Sequence, residues 1–364
     1  MIRITIMENS NQLFAERFKS GRKLNGMSLQ DLSDKLAEIG FEISRQALHK
    51  YEQGEVMPGS EVISKLSKAM NLKPDHFFRE TVVEIGEVEF RKFVHLPAKD
   101  ETRIIEQTKE YLSRYLELED IMNIKSEFKN PLSNNAINSF EEVEKAAKEL
   151  RDKWKLGNDP IMNVMELLED HHIKIVELEA GDAFDGMQTL ANGNIPVIVM
   201  NNLRLKKEDR KRFTALHELA HLILKFKKNL TTSQKETFCN QFAGAVLFPR
   251  EVAERELGKK RQRLDIKELG FLKKQYGISI QAIVMRLKDL EIISENYCRQ
   301  FFFYLKQMNW KIDEPVEYPV KQHSNRFDQL LYRAIAEEQI SMSKAAALKN
   351  MKMYEFMDIS NSLE

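Results

Sequence analysis

Residues 213–224 read Phe213-Thr-Ala-Leu-His-Glu-Leu-Ala-His-Leu-Ile-Leu224, and they contain the arrangement His217-Glu218-x-x-His221. On a helix, residues four apart share a face, one turn above each other. Two imidazoles so placed converge on one ion at ~2.0–2.1 Å, with Glu218 on the adjoining edge. Ala215, Leu216, Leu219, Ala220, Leu222 and Ile223 make the segment apolar on nearly every side, as a helix buried around a reactive site must be. The expected metal is zinc, which lowers the pKa of water from about 15.7 toward ~7. Glu218 then takes the proton as the water attacks a carbonyl carbon and returns it to the leaving amine, which is peptide-bond hydrolysis.

Two histidines leave a ligand position to be filled from elsewhere. Glu236 opens a second helical stretch, Glu236-Thr-Phe-Cys-Asn-Gln-Phe-Ala-Gly-Ala-Val-Leu-Phe-Pro249, after a connection long enough for that helix to fold back beside the first. It is the preferred third ligand. Cys239, one turn later, is an alternative because a thiolate binds zinc well, although a cysteine on an apolar helix face usually belongs to a core. Glu251 and Glu254 follow Pro249, which turns the chain away, and are weaker candidates.

Working outward, 364 residues predict two or three domains. A chain that is 42% hydrophobic and 31% charged, with 14 Gly and 9 Pro, is neither collagen-like nor wholly disordered. Lys and Arg number 56, as do Asp and Glu, so any contact with nucleic acid must come from a local patch. Cys239 and Cys298 cannot make a disulfide framework and no apolar leader follows Met1-Ile2-Arg3, so a cytoplasmic protein is expected. No apolar run approaches the ~20 residues of a membrane span, and no Gly-rich phosphate loop is present. Neither a membrane nor a nucleotide is an expected partner.

The reading of the elements is mainly α with a small β-sheet. Apolar bursts between Leu13 and Phe78, broken by Gly26, Gly40, Gly54 with Pro58, and Asn71 to Pro74, predict about five short helices in residues 1–80. Val82 to Phe93 alternates apolar and charged residues and reads as a strand or extended linker. Pro97 then opens a long charged helix through about Asn123. Residues 81–140 are thus read as a linker and connecting helix, with a polar stretch from Ser133 to Ser139. Ile173–Leu178 and Ile195–Met200 read as strands, with turns at Gly181, Gly186 and Asn192-Gly193-Asn194. Helices follow over Arg210–Phe226 and Ser233–Phe248, then a small helix-turn-helix around Gly277. The aromatic run Phe301-Phe-Phe-Tyr-Leu reads as core or interface, and residues 300–364 as a helical C-terminal region without an assigned role.

Several stretches together resemble the ImmA/IrrE family of metallopeptidases: Trp154-Lys-Leu-Gly-Asn-Asp-Pro-Ile, Phe184-Asp-Gly-Met, Pro196-Val-Ile-Val-Met-Asn-Asn, Arg212 to His221, and Glu236-Thr-Phe-Cys-Asn-Gln-Phe-Ala. The resemblance spans about Glu141 to Arg299, so residues 141–299 are taken as that domain. It implies an α+β zincin-like (gluzincin) fold, a zinc site of His217, His221 and Glu236, and Glu218 as general base. It further implies cleavage of a repressor-type protein, a partner or the chain itself. The usual Ala of the second-helix motif is Cys239 here, and the usual Leu-Met-Pro is Leu247-Phe248-Pro249; neither change removes a ligand.

Residues Met27-Ser-Leu-Gln-Asp-Leu-Ser-Asp-Lys-Leu, Ile43-Ser-Arg-Gln-Ala-Leu-His-Lys-Tyr-Glu-Gln-Gly, Pro58 and Leu66-Ser-Lys-Ala-Met-Asn-Leu resemble an XRE/Cro-type helix-turn-helix domain. The expected small core is Leu32, Leu36, Ile43, Leu48 and Leu66. Ser44 is expected to cap the reading helix and hold phosphate together with Lys50, while Arg45, Gln46 and His49 complete its exposed face toward operator DNA. Leu29 stands where the family commonly has glutamine, and Ala37 to Phe41 lengthen the turn, so sequence preference does not transfer. Residues 1–78 hold eleven basic and ten acidic side chains, and a homodimer would double the phosphate contacts. A different reading of the whole is a repressor or antitoxin whose metallopeptidase-like domain only senses or binds a partner. Basic clusters at Arg204–Arg212 and Lys259–Lys274 are interleaved with acids and read as solvated helix faces.

Overall fold

A computed structural model describes residues 2–80, 83–86, 89–92, 97–125, 127–132, 136–181 and 184–362. The chain opens with helices α1 (Ile2–Leu24), α2 (Leu29–Glu38), α3 (Arg45–Glu52) and α4 (Ser60–Met70), then a 3₁₀ turn at Pro74–Phe78. Strand β1 (Glu89–Lys92), helix α5 (Ala98–Ile121), strand β2 (Ala136–Ile137) and helices α6 (Phe140–Lys153) and α7 (Val164–Asp170) follow. Strands β3 (Lys174–Leu178), β4 (Phe184–Ala191) and β5 (Ile195–Asn201) lead to helix α8 (Glu208–Ile223), strand β6 (Lys225–Phe226) and helix α9 (Thr232–Leu247). The rest is helical: α10 (Arg250–Leu257), α11 (Ile266–Tyr276), α12 (Ile280–Asp289), α13 (Glu295–Gln307), α14 (Arg326–Ala336), α15 (Met342–Leu348) and α16 (Met353–Asn361).

These elements form two units, and their boundaries differ from the four consecutive segments drawn on the sequence. One unit is Met1–Ile85, Val94–Lys125 and Arg326–Glu364; the other is Gly86–Phe93 and Ser126–Asn325. Of the stretch read as strand or linker, 82, 87, 88 and 93 lie outside the described residues, as do 133–135 of the polar stretch; Ala136–Ile137 of the latter form β2.

In the head unit, Phe14, Phe18, Leu32, Leu36, Leu48, Leu66 and Phe77 make the core expected of short amphipathic helices, with Ile43 partly buried against it. Ser28 and Asp31 form a capping box on α2, and Ser44 Oγ accepts from Ala47 N on α3. The lengthened turn closes through Gly40, whose φ of +74° suits a residue without Cβ. A second core joins Tyr115 and Leu118 of α5 to Phe327, Leu331, Ala345 and Phe356, so helices α14 to α16 finish the face of α5. Beside it, Glu110 is buried against His76, whose Nδ1 lies at 2.9 Å, and the Arg79 guanidinium, whose Nη1 lies at 2.8 Å.

In the second unit a four-stranded sheet has the order β1-β4-β5-β3, with β3 parallel and β4 antiparallel to β5. Gly186 lies inside β4 and is not a turn, which corrects the sequence reading of this stretch. Leu216, Leu219 and Ala220 of α8 and Phe242, Ala243 and Val246 of α9 share one core with Ile198 and Met200 of β5. Asn130 Nδ2 donates to Ile223 O at 2.8 Å and finishes the C-terminal end of α8. Of the aromatic run, Phe301 and Leu305 are buried in this core and Phe302 packs against it, while Phe303 and Tyr304 are exposed. No helix among the described residues is long and apolar enough to cross a membrane.

Candidate metal centre and nucleic-acid interface

Helix α8 is buried on nearly all sides, so its polar residues are held in place by packing, and His217 is wholly buried and Glu218 almost so. Helix α9 begins with a capping box between Thr231 and Gln234, which sets its first turn and places Glu236 across from the two histidines. His217 Nε2 lies 3.2 Å from Glu236 Oε2, His221 Nε2 lies 3.2 Å from Glu236 Oε1, and the two Nε2 atoms are 3.1 Å apart. Each imidazole nitrogen therefore faces its own oxygen of one carboxylate, and the two nitrogens face each other. These separations are close to the ~3.3 Å between neighbouring ligand atoms around a tetrahedral ion with bonds of ~2.0–2.1 Å, so two imidazoles and a carboxylate suit zinc. Hydrogen bonds from His217 and His221 outweigh burial and hold the Glu236 carboxyl well below the usual carboxylate range.

Around these three side chains stand residues to which the sequence reading gave no part in the site. His217 Nδ1 faces Asn240 Oδ1 at 3.0 Å. Asn240 is four residues after Glu236, so one face of α9 supplies both the candidate ligand and the side chain that faces His217 Nδ1; helical spacing from Glu236 was the available signal. On the other flank, a Cβ on Gly186 would lie 3.0 Å from Thr214 Cγ2 and 3.3 Å from Glu218 Cγ. The glycine lets β4 run directly against the carboxylate helix. Next to it, Asp185 is buried and accepts from Arg204 Nε at 2.7 Å and Arg210 Nη2 at 2.6 Å, so two cations of the cluster read as solvated share one buried carboxylate. Burial alone would raise the pKa of Asp185, but the hydrogen bonds and charges of Arg204 and Arg210 together lower it.

The remaining ligand candidates lie elsewhere. Among the described residues the group able to hold a metal is His217, His221 and Glu236. Cys239 is fully buried in the apolar core, and Glu251 is bonded to Lys148 Nζ at 2.8 Å.

In the head unit, Arg45, Gln46, His49 and Lys50 are exposed on α3 while Leu48 points into the core. Arg45 and His49, and Gln46 and Lys50, are each four apart, so the helix presents them as two adjoining rows. Ser44 is exposed at the N-terminus of the same helix.

A family model for a helix-turn-helix matches residues 18–77, and one for an IrrE N-terminal-like domain, a peptidase family, matches residues 168–288. The second span contains all of β3 to β5 and the three converging side chains. Among curated proteins none matches the chain. Two matched spans and the elements that fill them lead to one statement of identity: the chain joins an XRE-type helix-turn-helix domain to a metallopeptidase-family domain of the IrrE/ImmA type.

Proposed function

We propose that this DNA-binding regulator carries a working zinc endopeptidase, which hydrolyses a peptide bond in a repressor-type protein, a partner or another copy of itself. The observation that carries the reading is the convergence of His217, His221 and Glu236 within 3.1–3.2 Å of one another, with the buried Glu218 one residue from the first ligand. Zinc bound there would supply Lewis-acid activation of water and of a peptide carbonyl. Glu218 accepts the proton of the attacking water on a carboxylate oxygen and delivers it to the departing amide nitrogen. Asn240 keeps the His217 ring turned so that Nε2 is the donor atom. Arg45, Gln46 and His49 read base edges in the major groove, and Ser44 and Lys50 hold phosphate.

The test is Glu218→Gln in the full chain, with zinc content and cleavage of co-encoded proteins measured together. Retained zinc with cleavage abolished supports the reading. Retained zinc with no cleavage by either chain and regulation unchanged leaves a regulator whose second domain senses or binds a partner without cutting it.

A further inference from the structure

Strands β3, β4 and β5 come from residues 174–201, inside the stretch matched by the peptidase-family model, whereas the fourth strand of the sheet lies far upstream of it. Glu89 pairs with Gln188, Phe90 with Met187 and Lys92 with Phe184, antiparallel to β4. Gly86 N donates to Leu190 O at 2.9 Å and carries the pairing further along the same edge. Residues Gly86–Phe93 group with the peptidase unit although the chain up to Ile85 and again from Val94 groups with the head unit. A short piece of the connection is thus spent on a sheet whose other strands are contiguous.

The edge it covers is the one beside the reactive helix. Gly186 of β4 abuts Glu218, and the β1–β4 register is irregular between Phe90 and Lys92, the step that spans Asp185 and Gly186. Bulges of this kind concentrate next to active sites. An extended polypeptide binds a sheet by adding a strand to its edge, with main-chain hydrogen bonds supplying affinity. On this sheet the outer edge of β4 is where such a segment would run past Glu218.

We propose that Glu89–Lys92 fill, from within the same chain, the strand position that an extended polypeptide substrate would take on β4, and that they leave before another segment can lie beside Glu218. The inference rests on the peptidase reading for the role of Glu218. A four-residue edge strand is short against a typical strand of ~5–6 residues, so it can exchange while β3, β4 and β5 stay paired. The apparent affinity for any other segment is lowered by the fraction of chains whose edge is open.

Binding is measured by fluorescence anisotropy, using the full zinc-loaded chain in a Glu218→Gln background and a fluorescein-labelled peptide with the sequence of residues 85–93. The comparison is with the same chain carrying Glu89→Gly, Phe90→Ser, Arg91→Gly and Lys92→Ser. The substituted chain is expected to bind the peptide at least tenfold more tightly; equal affinity, or binding by neither, overturns the proposal. Because that variant alters a strand, a second chain carries Phe90→Cys and Met187→Cys, two directly opposed positions. It should bind the peptide when reduced and not when cross-linked, and indifference to the cross-link also overturns the proposal. Hydrolysis is scored separately in chains that keep Glu218. Peptide binding that responds to β1 without any bond being cut supports the inference and refutes the peptidase reading. A substrate cut at the same rate with β1 intact or substituted does the reverse.

Discussion

Asn240 Oδ1 lies 3.0 Å from His217 Nδ1, and through that contact helix α9 fixes the ring that helix α8 offers to Glu236. With Nδ1 donating, Nε2 keeps its lone pair for the metal. Asn240→Leu keeps the branched shape of the side chain and removes the acceptor. Zinc affinity, measured by competition with a chromophoric chelator, should fall about 10–100-fold with helix content unchanged. Wild-type affinity in that variant would show that the contact orients nothing.

Gly186→Ala tests the other flank. The added methyl would lie 3.0 Å from Thr214 Cγ2 and 3.3 Å from Glu218 Cγ, in a wholly buried layer that gives only by moving the carboxylate. Bound zinc should be unchanged while peptide hydrolysis drops by ~10-fold or more, because misplacement of a reacting group by ~1 Å can cost ~100-fold. Full activity would place the proton-transferring group elsewhere.

What could be read in the sequence was whatever has a period or a cap. Helix α8 shows its burial as an apolar surround, Ser44 marks the start of α3, and the β-branched runs of β3 and β5 stand out. Strand β4 did not, because its first half, Phe184–Met187, is buried at successive positions and so shows no two-residue alternation, and because Gly186 reads locally as a turn. Glu236 was preferred over Cys239 in the sequence, but the two lie one turn apart on one helix, and it is the packing of α9 on α8 that turns one toward the histidines and the other into the core. Helices 326–364 were legible as helices, yet nothing local says that Phe327 and Leu331 pack on Tyr115.

Acid stability should depend on Glu110. Burial alone would raise its pKa, but the hydrogen bond and charge of His76, with Arg79 and Arg114, lower it from 4.5 to about 2. The stabilisation this represents is complete above the unfolded value near 4.5 and is lost as pH falls from there toward 2. Glu110→Gln leaves buried cations without their carboxylate and should cost ~3 kcal/mol or more at neutral pH, with a shallower loss of stability over that acid window. Chemical denaturation between pH 2.5 and 7 checks both parts, and an acid limb as steep as that of the wild type would contradict the assignment.

For the head, Arg45→Ala with Gln46→Ala removes two groups able to make bidentate contacts to base edges, each worth ~1–3 kcal/mol of discrimination. Operator binding at fixed salt should weaken accordingly while the melting temperature holds, since both side chains are exposed. Unchanged affinity would move the reading surface away from α3.

The central claim is that His217, His221 and Glu236 hold one metal ion between α8 and α9. Metal analysis of the purified full chain after zinc loading and dialysis tests it most directly. One equivalent of zinc is expected in the wild type and in Glu218→Gln, falling to near zero in His217→Ala, His221→Ala and Glu236→Ala. Undiminished zinc in the three ligand variants would contradict it.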